Sequence, residues 1–197
     1  MFEPTFEDPF TRDEAGVREI LGALEGDVLD VGCGDAPYLD ALADAATSGR
    51  VRYVGCDPDE SALAQLRTRY PWARLHRREA TAAPGLGTFD HVLVLRSWNH
   101  WPDVDVALAA VATALRPGGS LIVVDDVAFG LARTGGQSAR ARNGDARLQH
   151  HRNDDAQAAH RRIAAAGFEL LERRDVGPRT SCAWLLRYRK PMGVTVP

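Results

Sequence analysis

Cysteine is sparse in this chain: Cys33, Cys56 and Cys182 are the three present, far apart and without CxxC spacing. That excludes a zinc knuckle and a disulfide framework and predicts a reducing compartment. Long apolar runs are missing too, none approaching the roughly 18 residues a membrane span needs. The start, Met1-Phe2-Glu3-Pro4 with Glu7 and Asp8 following, lacks the basic-then-apolar order of a signal peptide. Neither charge sign is in excess. Lys and Arg number 24 against 27 Asp and Glu, a formal net charge of -3, which gives no overall pull toward nucleic acid or an anionic membrane. No internal repeat is found. The expectation is a soluble, cytoplasmic protein that enters no membrane and needs no metal.

What is present suffices for one core: 45% of the 197 residues are hydrophobic, which suits a single domain over residues 1–197. From Val28 onward short β-branched runs alternate with longer amphipathic stretches, the pattern of βαβ units and a parallel sheet. Strands are predicted at 28–31, 52–56, 74–77, 91–95 and 120–125. Between them Leu63 and Leu66, then Val104, Leu108, Val111 and Leu115, recur at helical spacing. Leu115-Arg116-Pro117-Gly118-Gly119 ends the second stripe, because proline cannot extend a helix and glycine permits the turn. Within residues 1–25, a helix starting near Thr11 to Asp13, with Val17, Ile20, Leu21 and Leu24 on one face, is expected to cap the open end of the site. Residues 128–152 break the rhythm with Gly, Arg, Gln and Asn, and are expected to form an irregular lid loop. Asp154 or Asp155 then starts a helix that ends at Ala166-Gly167. Two strands, 168–176 and 181–189, follow as a hairpin around Gly177-Pro178 and close the sheet with an antiparallel strand. The predicted fold is α/β: seven strands, mostly parallel, with helices on both faces.

The chemistry begins at Val28-Leu29-Asp30-Val31-Gly32-Cys33-Gly34-Asp35. A glycine turn directly after a buried parallel strand lets backbone approach a ligand that a side chain would exclude. Some 23 residues past Gly34 the second strand ends in Cys56-Asp57-Pro58, and an acid there can accept both hydroxyls of a ribose. The alternative role for Asp57 is at the N-terminus of the next helix, where acids are favoured. A nicotinamide enzyme would want the same acid. The third position of its GxGxxG fingerprint is Pro37 here, however, and Asp35 would repel a pyrophosphate while suiting the ammonium or sulfonium of S-adenosylmethionine.

Taken in order, these motifs resemble those of class I S-adenosylmethionine-dependent methyltransferases. Residues 28–35 are similar to that family's first motif, Tyr53-Val54-Gly55-Cys56-Asp57-Pro58 to its ribose-acid motif, Thr88 to Val94 to its fourth-strand motif, and Leu115 to Leu121 to the turn before its fifth strand. Gly167-Phe168 and the closing hairpin fit its last two strands, so the resemblance spans roughly residues 15–190. It implies a Rossmann-like fold, S-adenosylmethionine as cofactor, and transfer of its methyl group to an O, N or C nucleophile of a small polar acceptor. By the same resemblance Gly32, Cys33 and Gly34 border the cofactor, Asp30 supports the turn, Asp57 and Pro58 lie at the ribose, Glu79 and Ala80 at the adenine, and Arg96 and Ser97 at the end of the fourth strand. Glu79 departs from the pattern in that Thr81-Ala82-Ala83-Pro84-Gly85 after it is bland, which leaves a plain surface glutamate as its other reading.

The acceptor side is carried by Arg96-Ser97-Trp98-Asn99-His100-Trp101, at the carboxyl edge where open α/β sheets place their chemistry. His100 is either a general base or a structural histidine beside Asp103. Trp98 and Trp101 are better explained as core than as pocket walls. Asp126, at the end of the fifth strand, and His150 and His151, at the end of the irregular loop, are the other candidate bases. Arg152 or Asn153 could bind a polar substrate, and solvation is the plain alternative for the histidine pair. Arg133, Arg140, Arg142, Arg147 and Arg152 could grip a phosphorylated or nucleotide-linked acceptor. RNA ranks below a small molecule, since no stacking aromatics alternate with these arginines. Two further readings stay open, a nicotinamide-dependent oxidoreductase and a non-catalytic cofactor-binding protein, and a homodimer is compatible with all three.

Overall fold

The structure, a computed structural model, describes residues 14–126, 151–176 and 183–192. Seven strands form one sheet: β1 Gly26–Val31, β2 Val51–Asp57, β3 Arg74–Arg77, β4 Phe89–Leu95, β5 Leu115–Asp126, β6 Glu169–Asp175 and β7 Ala183–Arg189. Their order is β3-β2-β1-β4-β5-β7-β6. The pairs among β1 to β5 are parallel, and β7 runs antiparallel to both β5 and β6. The described residues include five helices, α1 Glu14–Gly22, α2 Ala43–Thr47, α3 Glu60–Arg69, α4 Val104–Ala114 and α5 Ala156–Ala165, with short 3-10 segments at Leu39–Leu42, Ala80–Leu86 and Trp98–His100. Among the described residues no helix is long and apolar enough to cross a membrane.

The central strands read as unbroken apolar runs because both of their faces are covered. On one face Leu29, Val31, Val92, Val94, Leu121 and Val123 pack with Val104, Leu108 and Val111 of α4 and Ala159 and Ile163 of α5. On the other, Val28, Leu93, Ile122 and Val124 pack with Val17 and Leu21 of α1, Leu39 and Leu42, and Leu63 and Leu66 of α3. Each such aliphatic side chain, fully buried, contributes about 1.5–3 kcal/mol. The helical stripes expected from the sequence are thus the ones that cover the sheet. Helix α1 also lies against the turn that follows the glycine motif, with Arg18 and Asp40 paired at 2.7 Å.

One boundary differs from expectation. Leu115 leaves the helical conformation (φ -87°, ψ 131°), so α4 ends at Ala114 and β5 begins at Leu115, where Ser120 was predicted to begin it. Leu115 pairs with Phe89 and Ser120 with His91, so residues 116–119 bulge out of the ladder opposite the single residue Asp90, and Gly118 and Gly119 bond to Lys190. Gly118 adopts φ +78°, and a Cβ on Gly119 would meet the Asp90 carbonyl oxygen at 2.7 Å. The glycines therefore allow close strand approach within β5 as well as a turn before it.

Strand order reverses between β1 and β4, so the crevice above the carboxyl ends of these two strands is where an open α/β sheet accepts a ligand. The motifs that matter all end there.

Candidate functional site

The backbone after β1 turns sharply: Gly32 has φ +73° and Gly34 φ +50°. The amides of Gly32 and Cys33 both donate to the Cys56 carbonyl, at 2.8 and 3.1 Å, which fastens the turn to the end of β2. The amide of Gly34 donates to Asp57 Oδ2 at 2.9 Å, while Asp57 Oδ1 accepts from the amide of Asp59 at 2.8 Å. Both carboxylate oxygens retain further lone pairs. Burial pushes the Asp57 carboxyl up, opposed by these two amides and by the charge of His100. The cap of α3 is Asp59, whose side chain accepts from the amides of Ser61 and Ala62. The helix-starting role that competed for Asp57 therefore belongs to its neighbour.

Beneath the turn Asp30 is 2% exposed. The Tyr53 hydroxyl donates to its Oδ2 at 2.9 Å, and Oδ1 has no partner. Burial pushes this carboxyl up to about 7, against the Tyr53 hydrogen bond that favours its ionised form. A Cβ on Gly55 would fall 3.0 Å from Cys33 Sγ and 3.1 Å from the Tyr53 hydroxyl, so this glycine makes room for both. Burial likewise raises both thiols, Cys56 to about 12, which removes the thiolate a nucleophile needs.

The other residues singled out for the cofactor lie on the same edge. Pro58 is exposed beside Asp57 and Glu79 is exposed just past β3, while Ala80 is half-buried at the start of its 3-10 turn. Arg96 takes the left-handed φ of +65° as β4 ends, and its amide donates to the Val124 carbonyl at 2.6 Å. Ser97 is buried, and its hydroxyl donates to the Val31 carbonyl at 2.6 Å, joining the ends of β4 and β1.

On the acceptor side, Trp98 and Trp101 are 0% and 5% exposed with ring centroids 5.5 Å apart, so both are core. Between them stands Asn99, fully buried, a residue to which the sequence assigned no role. Its amide donates to Asp125 Oδ2 at 3.0 Å and its carbonyl accepts from the amides of His151 and Arg152. Its side chain donates to the carbonyls of Asp126 and Asp154 and accepts from the Asp154 amide. One asparagine thereby gathers three candidate bases to one edge: His100 next to it in sequence, His151 through a 2.9 Å backbone bond, and Asp126 through its carbonyl. His150 lies outside the described residues, as do residues 1–13 and 127–150.

Arg152 differs from its expected part in substrate binding. Its guanidinium donates to the carbonyls of Trp98 and Trp101, pairs with Asp154 at 3.2 Å, and lies 5.7 Å from the centre of the Trp98 ring. With those donors engaged internally, Arg152 joins two chain segments and is not free to hold an acceptor. A buried asparagine and a distant arginine show no such pairing in sequence, because 53 positions separate them.

A family model described as a methyltransferase domain matches residues 29–121. The O-methyltransferase cnsE of Penicillium expansum is 34% identical over 125 residues, covering 60% of this chain and 44% of that protein. A ubiquinone biosynthesis O-methyltransferase of Rhizobium rhizogenes is 33% identical over 119 residues, covering 58% of this chain and 45% of that protein. The chain thus spans less than half the length of these curated relatives. In fold it is similar to the N-methyltransferase NodS of Bradyrhizobium japonicum, solved with S-adenosylhomocysteine, at a TM-score of 0.66 and 16% identity over 91% of this chain and 88% of that one.

Proposed function

We propose that the chain is a class I S-adenosylmethionine-dependent methyltransferase, a reading supported by the methyltransferase-domain match over residues 29–121, and that it binds S-adenosylmethionine and methylates an O, N or C nucleophile of a small polar acceptor. The observation that carries this reading is Asp57, whose carboxylate is fixed on the Gly34 amide at 2.9 Å at the switch point of the sheet, with helix capping left to Asp59. The residues present fit such a cofactor. A carboxylate oriented by two amides suits a ribose diol, the left-handed Gly32 and Gly34 let backbone approach, and the buried Asp30 provides a second carboxyl under the turn.

When bound, the cofactor supplies a methyl group on a positively charged sulfur, open to displacement by a nucleophile. The protein's part is positioning and proton handling. Gly32, Gly34 and Asp57 would hold the ribose and methionine portions, and Glu79 and Ala80 the adenine. Asp35, exposed beside the turn, disfavours a pyrophosphate there. His100 or His151, on the edge organised by Asn99, would take the proton that an acceptor hydroxyl or amine loses on methylation.

Calorimetry with S-adenosylhomocysteine tests the proposal: binding by the wild type and its loss in Asp57→Ala are expected. Absence of binding, or a melting temperature raised by NAD(H) in its place, would overturn it in favour of the oxidoreductase.

A further inference from the structure

The sheet has a second concave place, at the end away from the glycine turn. A cleft of about 390 Å³ opens over the amino ends of β4 and β5 and the carboxyl end of β7, with His91, Arg116, Pro117, Leu171, Arg187 and Arg189 in its walls. Most of the charge around it is paired. Arg116 bonds Asp27 at 2.9 Å and Asp90 at 2.7 Å, Arg52 also bonds Asp27, and Arg189 holds Glu169 at 2.7 Å. Two arginines thus face two aspartates, and a third faces a glutamate. Burial holds the His91 imidazole below its ordinary value. In that neutral form Nε2 donates to the Glu25 carbonyl at 3.0 Å and Nδ1 accepts from the Ser120 hydroxyl at 2.7 Å, so His91 adds no further positive charge.

Arg187 is the exception. It is half-buried, its Nε is shielded from water without a hydrogen-bond partner, and its guanidinium has no ion pair among the described residues. Glu172, its neighbour across the β6–β7 ladder, lies 3.1 Å from Arg174 instead. A guanidinium drawn out of water without an acceptor costs free energy, and an anion seated in the cleft would recover it. We propose that this cleft binds the carboxylate of a small organic acid, with Arg187 as its charge partner and the exposed Leu171 and Pro117 against the acid's apolar part. A planar, singly charged carboxylate matches both the fork of the guanidinium and the one charge left uncompensated. Phosphate, with closer to two charges near neutral pH, matches it less well. The site goes beyond the methyl-transfer reading and does not depend on it, because Arg96 and Ser97 mark the cofactor edge at the other end of β4.

The test is an NMR titration of the full chain with sodium butyrate, following the arginine Nε–Hε signals at constant ionic strength against sodium chloride. A saturable shift of the Arg187 signal is expected, and inorganic phosphate should bind at least about tenfold more weakly. Arg187→Gln removes the charge and the fork, and should weaken butyrate binding at least about tenfold. Arg187→Lys keeps the charge without the fork and should recover part of that loss. Arg189→Gln should have a smaller effect than Arg187→Gln, since Arg189 is already paired with Glu169. Affinity for S-adenosylhomocysteine should be the same in Arg187→Gln as in the wild type. A response to butyrate that is linear and matched by chloride, phosphate binding tighter than butyrate, or equal butyrate affinity in Arg187→Gln would each overturn the proposal. The first two comparisons use the wild type alone and hold even where a variant fails to fold.

Discussion

A Cβ on Gly32 would fall 2.5 Å from the Cβ of Ser97, because Ser97 sits directly under the turn with its hydroxyl on the Val31 carbonyl. Two strand ends are thereby pressed together at the switch point of the sheet.

Gly32→Ala should accordingly destabilise the protein. The left-handed φ of +73° costs about 1–2 kcal/mol for any side chain, and the clash adds about 1–3 kcal/mol. For a chain of this size each 1 kcal/mol lowers Tm by about 2–4 °C. Adding Ser97→Gly should recover part of the loss in a thermal melt, as a double-mutant cycle would show. Full additivity of the two changes would contradict the contact.

Asp57→Ala removes hydrogen bonds to a charged acceptor, each with a contribution of about 1.5–3 kcal/mol. Affinity for S-adenosylhomocysteine is predicted to fall roughly 10- to 150-fold by calorimetry. Asp59→Ala, which removes the cap of α3, should cost stability of about 1 kcal/mol and change that affinity little.

Stability should depend on pH through Asp30. Its folded value is raised to about 7 from an unfolded value near 4, so the native state binds the extra proton between them. The resulting stabilisation is complete below about pH 4 and declines as pH rises through 7. Asp30→Asn should flatten the urea stability profile in that window. Tyr53→Phe, which removes the hydrogen bond favouring the carboxylate, should move the decline to higher pH. An unchanged slope in Asp30→Asn would contradict the assignment.

Adjacent aspartates should behave differently. Asp155 caps α5 through the Ala158 amide at 2.7 Å, and its replacement by alanine is predicted to cost about 1 kcal/mol. Asp154→Ala would strip partners from the buried Trp98 indole and from Arg152, at a predicted cost of about 2–4 kcal/mol. Equilibrium denaturation of the two variants distinguishes a surface cap from a buried joint.

Much of this was legible in the chain. The glycine turn, the acid after β2 and the apolar stripes of α3 and α4 are local patterns, and periodicity places them without any knowledge of neighbours. Arg116-Pro117-Gly118-Gly119 has the composition of a turn and does bulge out of the ladder; what the sequence hid is that Leu115 before it already pairs with Phe89. Which of Asp57 and Asp59 caps α3 was likewise undecidable from composition, since both are acids beside a helix start.

The glycine motif at residues 28–35 announced by itself a tight left-handed turn after a strand, because left-handed backbone and close approach are properties of the residues that make it. Only the folded chain could decide what surrounds that turn. Ser97 lies 65 positions from Gly32 and Arg152 lies 53 from Asn99, and contacts at such separations are fixed by strand order and burial. The sequence therefore determined the turn after β1 and the acid after β2, while packing determined which residues hold the loop that follows β4.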